Sequence, residues 1–287
     1  MSGHQVFAAD WLSLREPADH AARSEALFED LAAVLARTRN GRRLRIVDLG
    51  AGTGSNLRWL APRLPRPQHW TLVDHDASLL ARARSQARTI VPAPADEFSV
   101  TTVEADLSDS SLPWIGQADL VTAAAFFDLV SAAWIERLSA ACAAARAACL
   151  FVLSVDGRRG FLDHDGGMID DEEDQYMQDI FNQHQRRDKG LGGALGPEAG
   201  QRLSQSLARH GFDVRLQASD WRLDCTDAPS LALGRELLAG WHQAALEQAP
   251  AASVRINAWH QRRQADLAGA RRMVQVGHVD VLALPPR

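Results

Sequence analysis

Short apolar runs closed by glycine, proline or aspartate alternate along the chain with segments whose apolar positions recur every three to four residues. That is the strand-and-helix rhythm of a parallel α/β sheet. Seven runs read as strands: Leu44–Leu49, Trp70–Val73, Phe98–Val103, Ala118–Ala123, Cys149–Val155, Phe212–Leu216 and Met273–Leu284. The fifth is apolar throughout, as a strand covered on both faces should be. Ahead of the first strand, residues 1–43 read as a helical cap, with Ser24 as N-cap for the series Leu27, Leu31, Val34 and Leu35, and Asn40-Gly41 as the stop. Further helices are predicted from Ser55 to Ala61, from Ala77 to about Arg88, from a Ser131 cap to about Ala147, and from Pro197 to His210. The main body, 44–287, carries an insertion at about 156–196, where the rhythm gives way to a loop, an acidic run and one helix. A helical pair at about 229–268 precedes the last strand.

Composition narrows the partners. A hydrophobic fraction of 46% over 287 residues is ample for a packed core. No stretch approaches the roughly 18 apolar residues of a membrane span, and the start lacks a charged segment followed by an apolar one, so a cytoplasmic location with no membrane partner is expected. A net charge of −5 provides no broad cationic footprint, which argues against a nucleic-acid partner. Nearly all the positive charge is arginine, a compositional bias rather than a functional signal. Cys142, Cys149 and Cys225 form no CxxC pair and are expected to be small buried hydrophobes, not disulfide or zinc ligands.

The sharpest chemical signal is Ile46-Val47-Asp48-Leu49-Gly50-Ala51-Gly52-Thr53-Gly54, a strand running directly into three alternating glycines and then a helix. Positions without side chains let the backbone approach a ligand and adopt positive φ, and the helix start adds N–H donors. Asp48, at the strand's end, stands where a dinucleotide-binding strand carries an apolar residue, and a buried acid there accepts from a ligand ammonium or orders the loop. About twenty residues past the last glycine, the second strand ends at Leu72-Val73-Asp74, the position whose carboxylate grips ribose hydroxyls, with His75 beside it. Asp76, just before Ala77, is the better helix cap of the two acids. The third strand leads into Glu104-Ala105-Asp106-Leu107, an acid where an adenine amino group would lie.

In these motifs, their order and their spacing, the chain resembles the class I S-adenosylmethionine-dependent methyltransferases, closely over about residues 44–155 and beyond that in layout. The resemblance implies a Rossmann-like α/β fold, a seven-stranded, mostly parallel sheet with helices on both faces and the last strand antiparallel. It also implies S-adenosylmethionine as cofactor and a small-molecule acceptor. By resemblance the glycine loop, Gly50, Ala51, Gly52 and Gly54 with Asp48 before it, holds the methionine moiety, Asp74 the ribose, and Asp106 with Leu107 the adenine. The fourth strand, Asp119 to Asp128, would line the site between cofactor and acceptor through Ala124 and Phe127. Its end, Ala125-Phe126-Phe127-Asp128, lacks the Asn/Asp-Pro-Pro-aromatic tetrad of enzymes that methylate amino groups of bases and glutamine, and no Pro-Cys nucleophile follows it.

Catalytic residues are harder to place. Asp128 and Asp156 follow strands four and five, where metal-dependent catechol-type relatives hold magnesium, but Gly157 replaces the expected third ligand, so no metal is expected; Asp128 is a catalytic candidate, otherwise a cap or acceptor contact, and Asp156 is a candidate acceptor contact. In the insertion, His184 continues the stripe of Met177, Ile180 and Phe181 and so faces inward, a candidate general base weighed against a packing histidine. Arg187 and Lys189 are candidates for an anionic group on the acceptor, and Arg15, after Trp11, for the cofactor's carboxylate. The acidic run Asp170–Asp174 reads as a solvated helix start. Most of the eight tryptophans are assigned to packing, although Trp221 and Trp241 could wall an aromatic acceptor pocket. Two other classes share the glycine turn. A nicotinamide oxidoreductase is opposed by Asp48, Asp106 and Ser55 where a third glycine would fall, and a non-catalytic nucleoside-binding module would lack turnover on any acceptor.

Overall fold

A computed structural model describes residues 9–38, 41–90, 94, 96–108, 112–163, 165–169, 171–187, 193–269 and 271–286. Two helices, Ala9–Ala22 (α1) and Glu25–Thr38 (α2), precede the sheet, and between them Ser24 Oγ accepts the Leu27 N–H at 3.2 Å, the N-cap its position predicts. The chain then alternates through Leu44–Leu49 (β1), Ser55–Leu60 (α3), Gln68–Asp74 (β2), Ala77–Ile90 (α4), Phe98–Glu104 (β3), Leu120–Ala124 (β4), Ala132–Ala145 (α5) and Ala148–Leu162 (β5). Beyond it follow Glu172–Gln185 (α6), Ala199–Arg209 (α7), Asp213–Ala218 (β6), Trp221–Leu223 (β7), Ala228–Gln248 (α8), Ser253–Ala268 (α9) and Met273–Leu284 (β8).

The strands lie in the order β3-β2-β1-β4-β5-β8-β6, with β1 to β5 parallel and β8 antiparallel to both its neighbours. The chain works outward from β1 to β3 and returns to β4 on the other side, so the connections leaving β1 and β4 diverge and open a crevice at their C-terminal ends. Strand alternation sorts the core into two layers. Ile46, Leu120, Leu150 and Leu282 pack under α2, α3 and α4, whereas Val47, Val121, Cys149 and Val281 pack under α5 and α7. A third cluster joins α6, α8 and α9 to Phe161, Trp221, Val274 and Val276 at the far ends of β5, β7 and β8.

Two expectations change. Among the described residues the sheet has eight strands rather than seven, because Trp221–Leu223 pairs with Val274–Val276 of β8, a three-residue strand too short to show periodicity. The insertion also begins later than residue 156. Asp156 and Gly157 read as a loop, but they form an irregularity inside β5, with Gly157 at φ +87°, after which Arg159–Leu162 resume pairing with Met273–Val276.

The acidic run is not simply a solvated helix start. Asp171 caps α6 by accepting the Glu173 N–H at 2.8 Å, and Asp174 is 9% exposed, where it accepts Trp259 Nε1–H at 2.6 Å and pairs with Arg263. Asp170 lies outside the described residues. Arg263 reaches Asp171 and Asp266 as well, each at 2.9 Å, and so ties α9 to α6 from within the third cluster. Removing one partner of a buried pair strands the other charge. Arg263→Met is therefore expected to lower unfolding free energy by about 3 kcal/mol in urea denaturation; an unchanged midpoint would show that the pair does not hold the insertion.

Candidate active site

The turn after β1 takes positive φ at all three glycines, +63° at Gly50, +51° at Gly52 and +82° at Gly54. Gly50 is the tightest position: a Cβ there would sit 2.8 Å from Phe126 Cδ2, so only glycine lets that ring close over the loop. Asp74, 5% exposed at the end of β2, holds the loop in place. Its Oδ2 accepts the Gly52 N–H at 2.8 Å and its Oδ1 accepts the Asp76 N–H at 3.0 Å. Asp76 in turn caps α4, accepting the N–H groups of Ser78 and Leu79 at 2.8 and 3.2 Å, so the two neighbouring acids divide the work as the sequence indicates.

These residues open onto a cleft of about 1190 Å³, counting its open mouth. Gly50, Ala51 and Gly52 form one side, Asp74, His75 and Asp76 the end of β2, Asp106 and Leu107 the end of β3, and Ala124, Ala125, Phe126 and Leu129 the end of β4. Leu12, Arg15 and Asp19 of α1 close it from above, and Leu12 Cδ1 lies 3.3 Å from where a Gly52 Cβ would stand. Arg15 is clamped to Asp19 by two bonds of 2.9 Å.

Asp48 lies beneath the cleft and does not line it. It is fully buried, and its Oδ1 accepts Asn56 Nδ2–H at 2.7 Å while its Oδ2 has no partner. Asn56 also donates to Thr122 Oγ1 at 3.0 Å and accepts from Arg23 Nη1 at 2.6 Å. Of the two roles open to a buried acid at this point, ordering the loop is the one the geometry supports. Burial pushes the Asp48 carboxyl up to about 7, against the pull of Asn56 and of the Arg23 guanidinium. Asp280 of β8, which with Asp48 acts on the Arg23 guanidinium, accepts the N–H groups of Ser24 and Leu153 at 2.9 and 2.8 Å and the Ser219 hydroxyl at 2.6 Å, pinning the α1–α2 junction to β5 and β8.

Gly54 also stands off the cleft, at the entry to α3, where its Cβ would meet that of Ala83 at 3.0 Å. The catalytic and acceptor candidates fare differently from the cofactor ones. Phe127 is fully buried against Phe151, ring centroids 4.7 Å apart; the left-handed turn at Ala125 (φ 51°) brings Phe126 to the cleft in its place. His184 faces the seam between α6 and α8, 3.1 Å from Glu247 Oε2 and stacked on Phe181, because the inward stripe of α6 packs on α8 rather than on the sheet's crevice. Arg187 donates to the Glu247 carbonyl at 3.1 Å on the surface. Asp156 accepts from the backbone and side chain of Arg158 within the irregular turn of β5, and Asp128 sits in a 3-10 turn behind Phe126; neither lines the cleft. Lys189 lies outside the described residues. Among the described residues no group of three or more His, Cys, Asp or Glu could hold a metal ion, and no helix is long and apolar enough to cross a membrane. Sequence reasoning missed Asn56, Phe126, Arg23 and Asp280. Of these, Asp280 left a trace, a charged residue inside an otherwise apolar terminal strand.

The buried acid gives a pH test. The folded chain keeps the Asp48 proton up to about pH 7 whereas an unfolded chain releases it near 3.8, so this group stabilises most at acid pH and loses its contribution as pH rises through 7. Asp48→Asn keeps the acceptor for Asn56 and removes the titration. Relative to wild type the variant is expected to gain on the order of 2–3 kcal/mol between pH 5 and pH 8 in chemical denaturation; a pH-independent difference would contradict a protonated Asp48.

A family profile described as a methyltransferase domain matches residues 46–147, the span from β1 to the end of α5. Among curated proteins a sequence search found no match. Among solved structures, a cyclopropane synthase from Mycobacterium tuberculosis is similar with a TM-score of 0.50 at 14% identity, covering 98% of this chain and 96% of that one. An S-adenosylmethionine-dependent methyltransferase from Geobacter sulfurreducens, solved with S-adenosylhomocysteine, is 18% identical with a TM-score of 0.48 and coverage of 99% and 100%. The first likeness supports the fold, and the domain match falls on the strands that build the glycine loop and the carboxylates at the ends of β2 and β3. Residues 46–147 thus carry a methyltransferase domain, set in a fold similar over its whole length to that of the cyclopropane synthase.

Proposed function

We propose that the chain methylates a small molecule held between the end of β4 and the overlying α1, with S-adenosylmethionine in the cleft across β1, β2 and β3. The observation that carries this reading is Asp74, a nearly buried carboxylate fixed by the Gly52 N–H at 2.8 Å and still lining the cleft. Its Oδ2 accepts the Gly52 N–H and retains a lone pair for a ribose hydroxyl, while its Oδ1 accepts the Asp76 N–H and lies 3.3 Å from His75 Nδ1. Gly50, Ala51 and Gly52 let the methionine moiety approach the main chain, and Asp106 with the buried Leu107 flanks the adenine. Arg15, steadied by Asp19 and lining the cleft, is the group assigned to the carboxylate end of that moiety.

The cofactor supplies a methyl group already activated by its sulfonium. What remains for the protein is to align the accepting atom and keep water out. Phe126, Leu129 and Ala124 form an apolar wall for that purpose, and α1 covers the opening. With His184 committed to Glu247, the lining residues support alignment rather than proton removal as the main contribution.

Asp74→Ala and Gly52→Val are each expected to weaken S-adenosylhomocysteine binding at least tenfold, about 1.4 kcal/mol or more, in calorimetry, while NAD gives no binding heat with any form. Wild-type affinity in both variants, or tight NAD binding, would contradict the assignment.

A further inference from the structure

Trp134 of α5 is 1% exposed, and its indole Nε1–H donates to the Leu107 carbonyl at 2.6 Å. A buried indole N–H needs an acceptor. The one it takes belongs to no helix or strand: Leu107 lies in the turn that leaves β3. Ahead of that turn, the Ala105 N–H donates to the Asp74 carbonyl at 2.9 Å and carries the β2–β3 ladder one step further. Within the turn, Asp106 Oδ1 accepts the Ser108 N–H at 2.8 Å, a local bond that shapes it. Trp134 then holds the Leu107 carbonyl from the α5 side, while Asp106 and Leu107 line the cleft.

The same side chain reaches the wall built by β4. Its ring meets Phe126 near edge-on, with centroids 5.3 Å apart and planes at 66°, and meets Phe127 at 6.2 Å. Phe126 is the ring that closes over Gly50, with its Cδ2 2.8 Å from where a Cβ there would stand. Edge-to-face pairs have a preferred geometry, so Trp134 orients Phe126 as well as filling the space behind it. The indole is itself held in place by the start of α5, where Ser131 Oγ accepts the Trp134 backbone N–H at 3.4 Å. A phenylalanine at this position would keep the ring contacts and lose the donor. The Leu107 carbonyl would then be buried without its partner, which costs more than the bond itself contributes.

We propose that Trp134 is a positioning residue for cofactor recognition. Its indole N–H holds the Asp106-Leu107 turn where the Asp106 carboxylate meets the adenine amino group, and its ring holds Phe126 over Gly50. The purine end and the methionine end of the cleft are thereby set by one side chain that does not line it. This rests on the placement of the cofactor proposed above.

The test compares S-adenosylhomocysteine with S-inosylhomocysteine, in which an oxo group replaces the adenine amino group, by calorimetry on the full-length wild type and on Trp134→Phe. Wild type is expected to prefer the adenosyl compound. Trp134→Phe is expected to bind that compound about fivefold or more weakly and to lose most of the preference, because the turn carrying Asp106 is released. A tryptophan that only filled the core would change the melting temperature and leave the ratio of the two affinities alone, so an unchanged ratio or an unchanged affinity overturns the inference. A crystal of the wild type with S-adenosylhomocysteine tests the same claim without a variant. There the indole N–H is expected on the Leu107 carbonyl with Asp106 at the adenine amino group, and an indole bonded elsewhere in that complex overturns the inference. Wild type that binds neither compound, or both equally, would instead overturn the cofactor placement on which it stands.

Discussion

The bond from the Gly52 N–H to Asp74 fixes a loop that has almost no side chains with which to fix itself. A glycine-rich turn is conformationally permissive, and left alone it would sample many shapes at considerable entropic cost on ordering. The carboxylate at the end of β2 removes that freedom, and because β1 and β2 are in register from Leu44 with Gln68 to Leu49 with Val73, sheet pairing sets where the carboxylate stands. The remaining geometry of the cleft follows. Phe126 can close over Gly50, Leu12 over Gly52, and the acids after β2 and β3 share one rim.

Beneath that rim, charge is buried on purpose rather than by packing accident. Arg15 and Asp19 lie four residues apart on α1, and Arg23, one residue past its end, continues that polar side toward the sheet. There Arg23 meets Asn56, Asn56 meets Asp48 and Thr122, and Asp280 receives the helix junction at Ser24. A helix held by polar contacts is directional, since each bond specifies one position, whereas an apolar stripe tolerates sliding. The covering helix is thereby registered against the glycine loop through Asn56, two residues after Gly54.

The fold was legible because its signals are local. Periodicity located the long strands and helices, and Ser24, Asp76 and Ser131 cap the helices they precede. The cleft residues supplied by β1, β2 and β3 were legible for the same reason, being motifs within a few positions of a strand end. What escaped was set by tertiary geometry. Phe127 and Phe126 are adjacent in sequence, and a positive φ at Ala125 decides which one faces the cleft. His184 is on an inward stripe as expected, but inward there means toward α8, because the insertion builds its own core. Asp156 reads as a loop residue and sits inside a strand, since one glycine lets β5 bulge and continue.

Selective ¹⁵N-glycine labelling gives the most direct view of the central claim, because it reports on the amide that Asp74 holds. On titration with S-adenosylhomocysteine, the Gly50 and Gly52 resonances should move to a saturable end point while those of distant glycines such as Gly240 stay still. A Gly52 resonance unmoved at saturation would contradict the account.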